Sequence, residues 1–263
     1  MKLGFIARND LPGIEEDCRF AVDHGFTGLE FNYWGDFRNL TAETVGQMHA
    51  TLKRFGVECS TFGIWGCNHI SPKPEERADH HTLLTRAIGF AKTMEARTFI
   101  AGAGEFSADL DQNVATFSTV MRPFIDQVKA AGMGMSIYGF HGGFLKTVDA
   151  WSKLLAVVPD IGVKFDPANI MHAGQDHLAM LRANGKRVVH VHIKEHLVHG
   201  GTIASQPAAG MGDLHRGKIM AFLYEAGYNG YLTMEPHGPI WGRGDLRWKM
   251  ILLSQRHIRQ FMI

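Results

Sequence analysis

The sequence predicts a (β/α)8 barrel, the TIM-barrel architecture, as a single domain over residues 1–263. Eight short β-rich runs alternate with longer stretches of helical periodicity over about 250 residues, which is the pattern of this fold. A glycine often stands just before the next strand, where its left-handed conformation ends a helix. The competing architecture, an open doubly wound sheet, usually carries a glycine-rich phosphate loop after its first strand. The corresponding segment here, "ARNDLPG", has no such pattern, so the barrel is favoured.

The eight predicted strands are short and rich in aliphatic, aromatic or β-branched side chains. In chain order they are 3–7, 28–31, 58–62, 98–101, 134–138, 162–165, 188–193 and 230–234. Amphipathic stretches separate them, and the clearest is 83–94, where apolar residues recur near helical spacing. No linker or low-complexity segment interrupts this series.

The composition argues against several classes of function. Of the 263 residues, 45% are hydrophobic and 20% are charged, with a net charge of +1, so there is no broad basic surface for nucleic acid. Three cysteines are few and odd in number, which argues against a disulfide framework and for a reducing compartment. The N-terminal apolar run reads as a first strand, and no run approaches the roughly 20 residues of a membrane helix. We therefore expect a cytoplasmic protein that acts on a small molecule, has no nucleic-acid or membrane partner, and could form a homo-oligomer.

The stretch "RVVHVHIKEH", residues 187–196, departs from the pattern of an ordinary buried strand. His190, His192 and Lys194 recur at every second position, and this spacing puts all three on one face of a strand. Residues at the carboxyl ends of barrel strands build the active site. We therefore expect His192 and Lys194 at the site, and the deeper His190 as a hydrogen-bonding group in the core.

The predicted strands six and eight each end in a carboxylate, Asp166 and Glu235. If these faces point into the barrel, Asp166, His192 and Glu235 converge at one level. Two carboxylates and one imidazole suit Mn²⁺, Mg²⁺, Co²⁺ or Zn²⁺ and leave coordination positions open for a substrate. Each residue alone has a structural explanation, as a turn cap, a core hydrogen-bonding group or half of an ion pair. Their occurrence on three consecutive strands indicates a metal site.

Other polar and aromatic residues are expected around this site. Trp34 and Trp65 follow strands two and three, so they would stack on a sugar ring or an aromatic aglycone, or instead seal the rim or pack against another subunit. Glu30 would point inward and hold a sugar hydroxyl, or be the buried partner of Lys194 or an arginine. Lys194 would offset carboxylate charge or stabilise an enolate, or form a structural ion pair. His237, two residues after the carboxylate of strand eight, is assigned to substrate binding.

The segment 196–213 is long for a connection between a barrel strand and its helix. Loops of this length tend to be lids or binding loops, and the glycines in this one would serve as hinges. We expect the segment to become less mobile when a substrate binds, with a static, ordered rim as the alternative.

These motifs resemble those of the xylose-isomerase-like barrels, the sugar-phosphate isomerase/epimerase superfamily, over nearly the whole chain. The resemblance rests on "FDPAN" (165–169), "HVHIKE" (190–195), "PAAGMGDL" (207–214) and "GYNGYLTMEPH" (227–237). It implies a divalent metal ion held by acidic and histidine ligands from strands five to eight. Asp166, His192 and Glu235 match the last three of these positions. None of the motifs identifies a substrate.

Strand five departs from the family pattern. Many members end this strand with a metal-binding glutamate in a Glu-Asn-His type motif, whereas this chain reads "SIYGFHGG" (136–143). Placing His141 on the histidine of the motif puts Gly139, which has no ligand atom, where the glutamate would stand. The site would then have three protein ligands, or His141 or water would complete it. In the ketose 3-epimerases of the family the glutamates of strands five and eight act as paired acid and base, so simple 3-epimerisation is expected to be poor here.

The resemblance and the site residues together predict a divalent-metal-dependent sugar isomerase or epimerase that acts through an enediolate on a sugar or keto-sugar, with Mn²⁺ as the first choice of ion. Glu235 and His141 are the candidate bases, and Lys194 is the third predicted catalytic residue. No phosphate cradle is evident, which favours an unphosphorylated sugar or cyclitol.

Three alternatives stay open at this point. Elimination from the same enediolate would make the protein a sugar lyase of the dehydratase or deglycosidase type. A zinc-dependent DNA-repair endonuclease would need several metal ions and a basic face, which the net charge of +1 opposes. A non-catalytic sugar-binding or assembly protein would fit the loss of the strand-five glutamate.

Overall fold

The computed structural model describes residues 1–140 and 142–263. Its centre is a closed barrel of eight strands, which confirms the predicted fold. The barrel strands are β1 (Lys2–Ile6), β2 (Gly28–Tyr33), β3 (Glu58–Ile64), β4 (Thr98–Gly102), β5 (Gly134–Tyr138), β6 (Ile161–Phe165), β7 (Val188–Ile193) and β10 (Tyr231–Met234). Each strand pairs in parallel with the next in this order, and β10 pairs with β1 to close the ring.

Helices connect the strands on the outside of the barrel. They are α1 (Leu11–His24), α2 (Ala42–Phe55), α3 (Pro74–Thr93), α4 (Leu110–Val120), α5 (Arg122–Ala130), α6 (Val148–Val157), α7 (Pro167–His172), α8 (His177–Asn184), α9 (Arg216–Glu225) and α10 (Gly244–Arg259), with short 3₁₀ turns at Gly35–Asn39 and Gly185–Arg187. α3 begins earlier than the predicted 83–94. Its residues from Pro74 to Thr82 bury no side chain, so this part of the helix shows no apolar period by which the sequence would predict it. Within the described parts of the chain, none of the helices combines the length and apolar character needed to cross a lipid bilayer.

Glycine ends the first two helices where the sequence predicts it. Gly25 and Gly56 follow α1 and α2 with φ values of 71° and 67°, and their N–H groups bond back to carbonyls of the last turn. An L-residue with a side chain is strained in this left-handed conformation, which explains the choice of glycine. Each helix is thereby turned back towards the start of its next strand.

A polar cluster packs at the amino-terminal end of the barrel. The carboxylate of Glu58, at the start of β3, accepts hydrogen bonds from Lys2 Nζ at 3.0 Å, Arg97 Nη2 at 2.8 Å and the Tyr231 hydroxyl at 2.7 Å. These bonds join three different strands and the connection before β4. The opposite, carboxyl-terminal end of the strands is where a binding site is expected in this fold.

The segment after β7 is more ordered than the long loop that its length predicts. Part of it forms an antiparallel hairpin of β8 (Leu197–His199) and β9 (Thr202–Ser205). Gly200 and Gly201 form its turn with positive φ values of 58° and 77°. Because β8 follows β7 closely, the hairpin lies at the carboxyl end of the barrel, and Ile203 and Gln206 line the cavity there.

Candidate active site

A cavity of about 450 Å³ opens at the carboxyl ends of the barrel strands, and its size is typical of small-molecule sites. Its wall contains six residues predicted from the sequence, namely Trp34, Trp65, His192, Lys194, Glu235 and His237. The other residues of the wall are Ile6, Asn32, Tyr138, Lys164, Asn169, His172, His196, Ile203, Gln206 and Pro236. The polar groups come mainly from the late strands, and the aromatic rings come from β2, β3 and β5 and the turns after them.

The structure brings Asp166, His192 and Glu235 together. Nδ1 of His192 lies 2.5 Å from Oε2 of Glu235 and 3.7 Å from Oδ2 of Asp166, and these donor atoms all lie within 4.8 Å of one another. The barrel produces this convergence, because Asp166 directly follows β6, His192 lies on β7 and Glu235 directly follows β10. The predicted grouping is therefore present in the folded chain.

Asp166 also caps α7, as the structural explanation of its strand-end position predicts. Its Oδ1 accepts a hydrogen bond from the backbone N–H of Asn169 at 3.0 Å, and its Oδ2 accepts one from Nδ2 of the same residue at 2.8 Å. Pro167, which has no N–H to satisfy, occupies the first helical position. Capping and metal binding do not exclude each other here, since the cap holds the carboxylate in place beside His192.

The other nitrogen of His192 is held by Glu30. Nε2 of His192 lies 2.8 Å from Oε1 of Glu30, and His190 Nε2 lies 2.5 Å from the second oxygen of that carboxylate. Asn32 Nδ2 also donates to Oε1 at 2.9 Å. A metal-binding histidine commonly donates its second N–H to a carboxylate in this manner. Glu30 is completely buried and is not part of the cavity wall, so its partners are these side chains rather than Lys194 or an arginine.

The charges around His192 favour a cation at its Nδ1. Burial opposes protonation of the ring, but the carboxylates of Glu30 and Glu235 outweigh this effect and raise the pKa of His192 to about 10. Burial also opposes ionisation of Asp166, yet the nearby Lys194 charge lowers the pKa of Asp166 to about 2. Burial acts likewise on Glu235, and Lys194 and His192 hold its pKa well below the usual range. Ionised carboxylates and an anchored imidazole therefore meet at one point, and this donor set fits a small divalent ion.

Lys194 and His237 contact the second oxygen of Glu235. Lys194 Nζ donates to Oε1 of Glu235 and to Oδ1 of Asn169, each at 3.2 Å. Nδ1 of His237 lies 3.2 Å from the same Glu235 oxygen, and the His237 side chain is about half exposed. Lys194 thus forms the ion pair expected of a structural residue and also lines the cavity. His237 stands at the mouth, where a substrate would meet it.

The structure shows what the position of Gly139 after strand five faces. A Cβ atom added to Gly139 would lie 2.7 Å from the carbonyl oxygen of Leu145 and 3.0 Å from the Trp151 ring, so a side chain there would point into packed structure and not into the cavity. The residue of β5 that lines the cavity is Tyr138, where the strand ends. β5 therefore ends at Tyr138, and Gly139, at the position of the family glutamate, does not face the cavity. His141 itself lies outside the described residues.

Aromatic rings form one side of the cavity. The Trp34 and Trp65 rings are stacked with centroids 6.1 Å apart, and Tyr138 meets Trp65 edge-on at 4.1 Å. Trp65 Nε1 donates to Oδ1 of Asn32 at 2.9 Å, which fixes the plane of the indole. The Lys164 ammonium lies 4.6 Å from the Trp65 ring centroid. The two tryptophans therefore stand at the mouth as predicted, with Trp34 exposed and Trp65 largely covered.

Several residues of the wall were not identified from the sequence. Lys164 shares the inward face of β6 with Asp166, and Asn32 shares that of β2 with Glu30, so period-two alternation was a usable signal for both. The family motif drew attention to Gly139 as the position of the glutamate, so Tyr138 was not identified as the residue of this strand in the cavity wall. His172, His196 and Gln206 enter the cavity from the connections after β6 and β7. The path of a connection is not encoded in a local pattern, so no sequence signal pointed to His172 and Gln206, whereas His196 continues the period-two spacing of His190, His192 and Lys194.

The "HVHIKE" and "PAAGMGDL" motifs are in contact with each other. The buried carboxylate of Glu195 accepts hydrogen bonds from the backbone N–H groups of Gly210 at 3.3 Å and Leu214 at 3.1 Å, and pairs with Arg216 at 3.3 Å. His196 Nε2 lies 3.2 Å from the side-chain amide of Gln206. These bonds tie the connection after β7 to the end of that strand, which positions the hairpin over the cavity.

Solved structures resemble the fold over its whole length. D-psicose 3-epimerase with D-tagatose from Clostridium cellulolyticum H10 has 15% identity and a TM-score of 0.79, with 100% of this chain and 99% of that chain covered. The IOLI protein with a binding zinc atom has 14% identity and a TM-score of 0.80, with 99% and 98% covered. The probable 3-DHS dehydratase AsbF of petrobactin synthesis in Bacillus anthracis has 15% identity and a TM-score of 0.73, with 98% and 99% covered. At these identities, the similarity establishes a common fold and nothing finer.

Sequence comparison gives the family. No curated protein matches the chain. The family model for the xylose isomerase-like TIM barrel matches residues 18–252, which contain every predicted site residue. Since this match covers most of the sequence, the chain belongs to the xylose isomerase-like TIM barrel family.

Proposed function

We propose that this protein is a divalent-metal-dependent sugar isomerase or epimerase that acts through an enediolate. The observation that carries the proposal is the meeting of Asp166, His192 and Glu235 beside a sugar-sized cavity that His192 and Glu235 line, with the far nitrogen of His192 anchored on Glu30. When bound there, a divalent ion supplies positive charge that stabilises an enediolate and its transition state. Mn²⁺ is the preferred ion, and Mg²⁺, Co²⁺ and Zn²⁺ have compatible ligand preferences.

The side chains around the cavity have separate roles in this proposal. Trp34 and Trp65 pack against the carbon skeleton of the substrate, and the hairpin after β7 limits access of water. Lys194 donates a hydrogen bond to a substrate oxygen that gains negative charge, and His237 binds a hydroxyl group at the mouth. Glu30 keeps the His192 ring in one orientation and does not contact the substrate, which replaces the sugar-hydroxyl contact considered from the sequence.

The proton acceptor is one of a small set of residues. Glu235 and His141 are the two candidates from the sequence, and the low pKa of Glu235 makes it a weaker base than an ordinary carboxylate. His196 is a third candidate, because burial, together with the nearby Lys194 charge, lowers its pKa to about 4 and keeps the imidazole neutral. A neutral imidazole at the cavity wall can accept a proton from a carbon next to a carbonyl.

A lyase on the same site is the second candidate function. It is supported by strand β5, whose residue in the cavity wall is Tyr138 and not a carboxylate. A 3-epimerase that works in both directions needs an acid or base on each face of the sugar, whereas elimination of a β-hydroxyl needs one base and one acid. The phenol of Tyr138, whose pKa burial raises to about 12, stays protonated and could supply that acid.

The proposal is tested by turnover of a panel of ketoses, aldoses and cyclitols, followed by NMR. Protein stripped with chelator and reloaded with Mn²⁺ is expected to interconvert at least one pair of sugars, and the stripped protein and Asp166→Ala are expected to be inactive. Loss of water from a substrate instead of interconversion would identify the lyase. Equal rates with and without the metal ion would refute both forms of the proposal.

A further inference from the structure

The Lys164 side chain is a buried cation that faces the cavity, and within the described part of the chain it forms no ion pair. Only 7% of the residue is exposed, yet it forms part of the cavity wall. Its ammonium lies over the rings of Trp65 and Tyr138, at 4.6 Å and 5.9 Å from their centroids. The rings attract the charge but cannot accept three N–H hydrogen bonds in the way that oxygen atoms do.

The three acids of the site each take their hydrogen bonds from groups other than Lys164. Asp166 takes its hydrogen bonds from α7, and Glu30 is held by the two histidines of β7. Glu235 pairs with Lys194. Across the described residues, 1–140 and 142–263, Lys164 Nζ makes no ion pair within 4.0 Å, and the one residue outside this range is not an acid.

The two lysines of the cavity therefore differ in kind. Lys194 pairs with Glu235 at 3.2 Å, whereas Lys164 lies over aromatic faces and forms no such ion pair with a described residue. A buried charge is costly unless it is paired and hydrogen-bonded. The missing partner can come from the ligand, since the same ammonium is open to the cavity in which the ligand binds.

We infer that the substrate carries an oxyanion that binds the Lys164 ammonium, beside the Asp166, His192 and Glu235 group. This inference rests on the proposed function and specifies that its sugar substrate is an anion. A carboxylate fits better than a phosphate, because one ammonium balances one charge and Lys194, the other lysine of the described wall, is paired with Glu235. The substrate is then a keto-sugar acid or cyclitol acid. A sugar phosphate is the other kind of substrate that would supply an oxyanion to Lys164.

The test compares three probes with one carbon chain: D-fructose, D-fructuronate with a carboxylate at C6, and D-fructose 6-phosphate. Their dissociation constants are measured by isothermal titration calorimetry on the Mn²⁺-loaded and metal-stripped full chain, beside turnover. The variants are Lys164→Met, which removes the charge, Lys164→Arg, which keeps it, and Lys92→Met on the exposed face of α3 as the charge-matched control. Thermal midpoints show whether each variant is folded.

The wild type is expected to bind D-fructuronate about tenfold or more tightly than D-fructose, as a charge-assisted hydrogen bond in a buried site predicts. Lys164→Met should reduce this preference to about threefold or less, while Lys164→Arg and Lys92→Met retain it. If D-fructose 6-phosphate binds more tightly than D-fructuronate, and this affinity also depends on Lys164, the result would support the oxyanion and identify it as phosphate. Equal affinities for the three probes, no binding of either anion at millimolar concentration, or a folded Lys164→Met protein with an unchanged preference would overturn the inference.

Failure of this inference and failure of the proposed function give different results. Metal-dependent turnover of D-fructose without any preference for the anions refutes the role of Lys164 alone. The opposite result is a preference for the anionic probes that depends on Lys164 and is the same with and without metal, together with no turnover of any sugar. This result refutes the metal-dependent isomerase but supports the anion subsite.

Discussion

Nε2 of His192 lies 2.8 Å from Oε1 of Glu30, and this pair is completely buried beneath the candidate metal site. The contact fixes the imidazole ring so that its Nδ1 faces Asp166 and Glu235. A carboxylate in this position also makes the histidine a stronger ligand. The pair therefore connects a residue outside the cavity with the chemistry proposed inside it.

Replacement of Glu30 by glutamine is expected to weaken Mn²⁺ binding by about 10- to 100-fold, the usual effect of losing such a partner. Titration calorimetry measures this affinity. Glu58→Gln, which removes a carboxylate at the other end of the barrel, is the matched control and should leave the affinity unchanged. Unchanged affinity in a folded Glu30→Gln protein would show that His192 does not act as a ligand through Nδ1.

Removal of either carboxylate of the site is expected to abolish metal binding. Wild-type protein prepared without chelator should contain about one divalent ion per chain, whereas Asp166→Ala and Glu235→Ala should contain almost none, because each removes one of three donors. Elemental analysis gives the occupancy, and circular dichroism reports the fold. The exposed Asp149, in the first turn of α6, provides the control variant Asp149→Ala. Full occupancy in both site variants would mean that the ion binds elsewhere.

Replacement of His141 by alanine is expected to lower turnover by roughly 100-fold or more, the scale for loss of a general acid or base. Turnover and thermal midpoint are measured on the same preparation, so that a catalytic effect is separated from a loss of stability. His196→Ala is measured in parallel. A near-normal rate for His141→Ala would leave Glu235 and His196 as the possible bases.

The backbone of residues 196–213 is expected to exchange its amide hydrogens more slowly when a substrate is bound. The hairpin of β8 and β9 has only two strands and lies at the cavity. A ligand that contacts Ile203 and Gln206 should therefore reduce the opening motions of the hairpin. Hydrogen exchange with and without a bound sugar gives the comparison, and α2 on the outer wall serves as an internal reference. Identical protection of the hairpin in both states would show a static rim.

The stability of the protein is expected to fall in mild acid because of His69. This residue is completely buried, and burial, assisted by the neighbouring His80 and His81, lowers its pKa from the usual 6.5 to about 3. As the pH falls below 6.5 the unfolded chain takes up this proton and the folded chain does not, so stability is lost from there down to the folded-state pKa.

Between pH 7.5 and pH 5 the free energy of unfolding should fall by about 2 kcal/mol more for the wild type than for His69→Leu, which cannot titrate at this position. Urea denaturation at both pH values measures the difference. Parallel pH dependence of the two proteins would show that His69 is not held neutral by burial.

Local patterns in the sequence were sufficient for the barrel and for the group of possible metal ligands. Period-two spacing put His190 and His192 on one face, and the closed ring of parallel strands then brought the ends of β6, β7 and β10 together. Such patterns could not show which inward residue lies above which. Glu30 was expected in contact with a substrate, whereas its depth on β2 puts it against the histidines.

The residues beyond the strands were harder to predict. The family motif placed Gly139 at the position of the metal-binding glutamate, and the structure shows that this position faces Leu145 and Trp151 instead of the cavity. The hairpin after β7 depends on two adjacent glycines with positive φ and on bonds between Glu195 and a distant backbone. These are tertiary contacts, and no periodicity in the chain reports them.

The most direct test of the metal site is a crystal structure of Mn²⁺-loaded protein with anomalous diffraction at the manganese edge. We expect one strong peak, at about 2.0–2.3 Å from Nδ1 of His192 and from one carboxylate oxygen each of Asp166 and Glu235, as in oxygen- and nitrogen-ligated sites of similar ions. Among the described residues, Glu30, His190 and His192 are a second group whose potential ligand atoms lie within 4.8 Å of one another. A peak in that group, or no peak near either group, would contradict the proposed site.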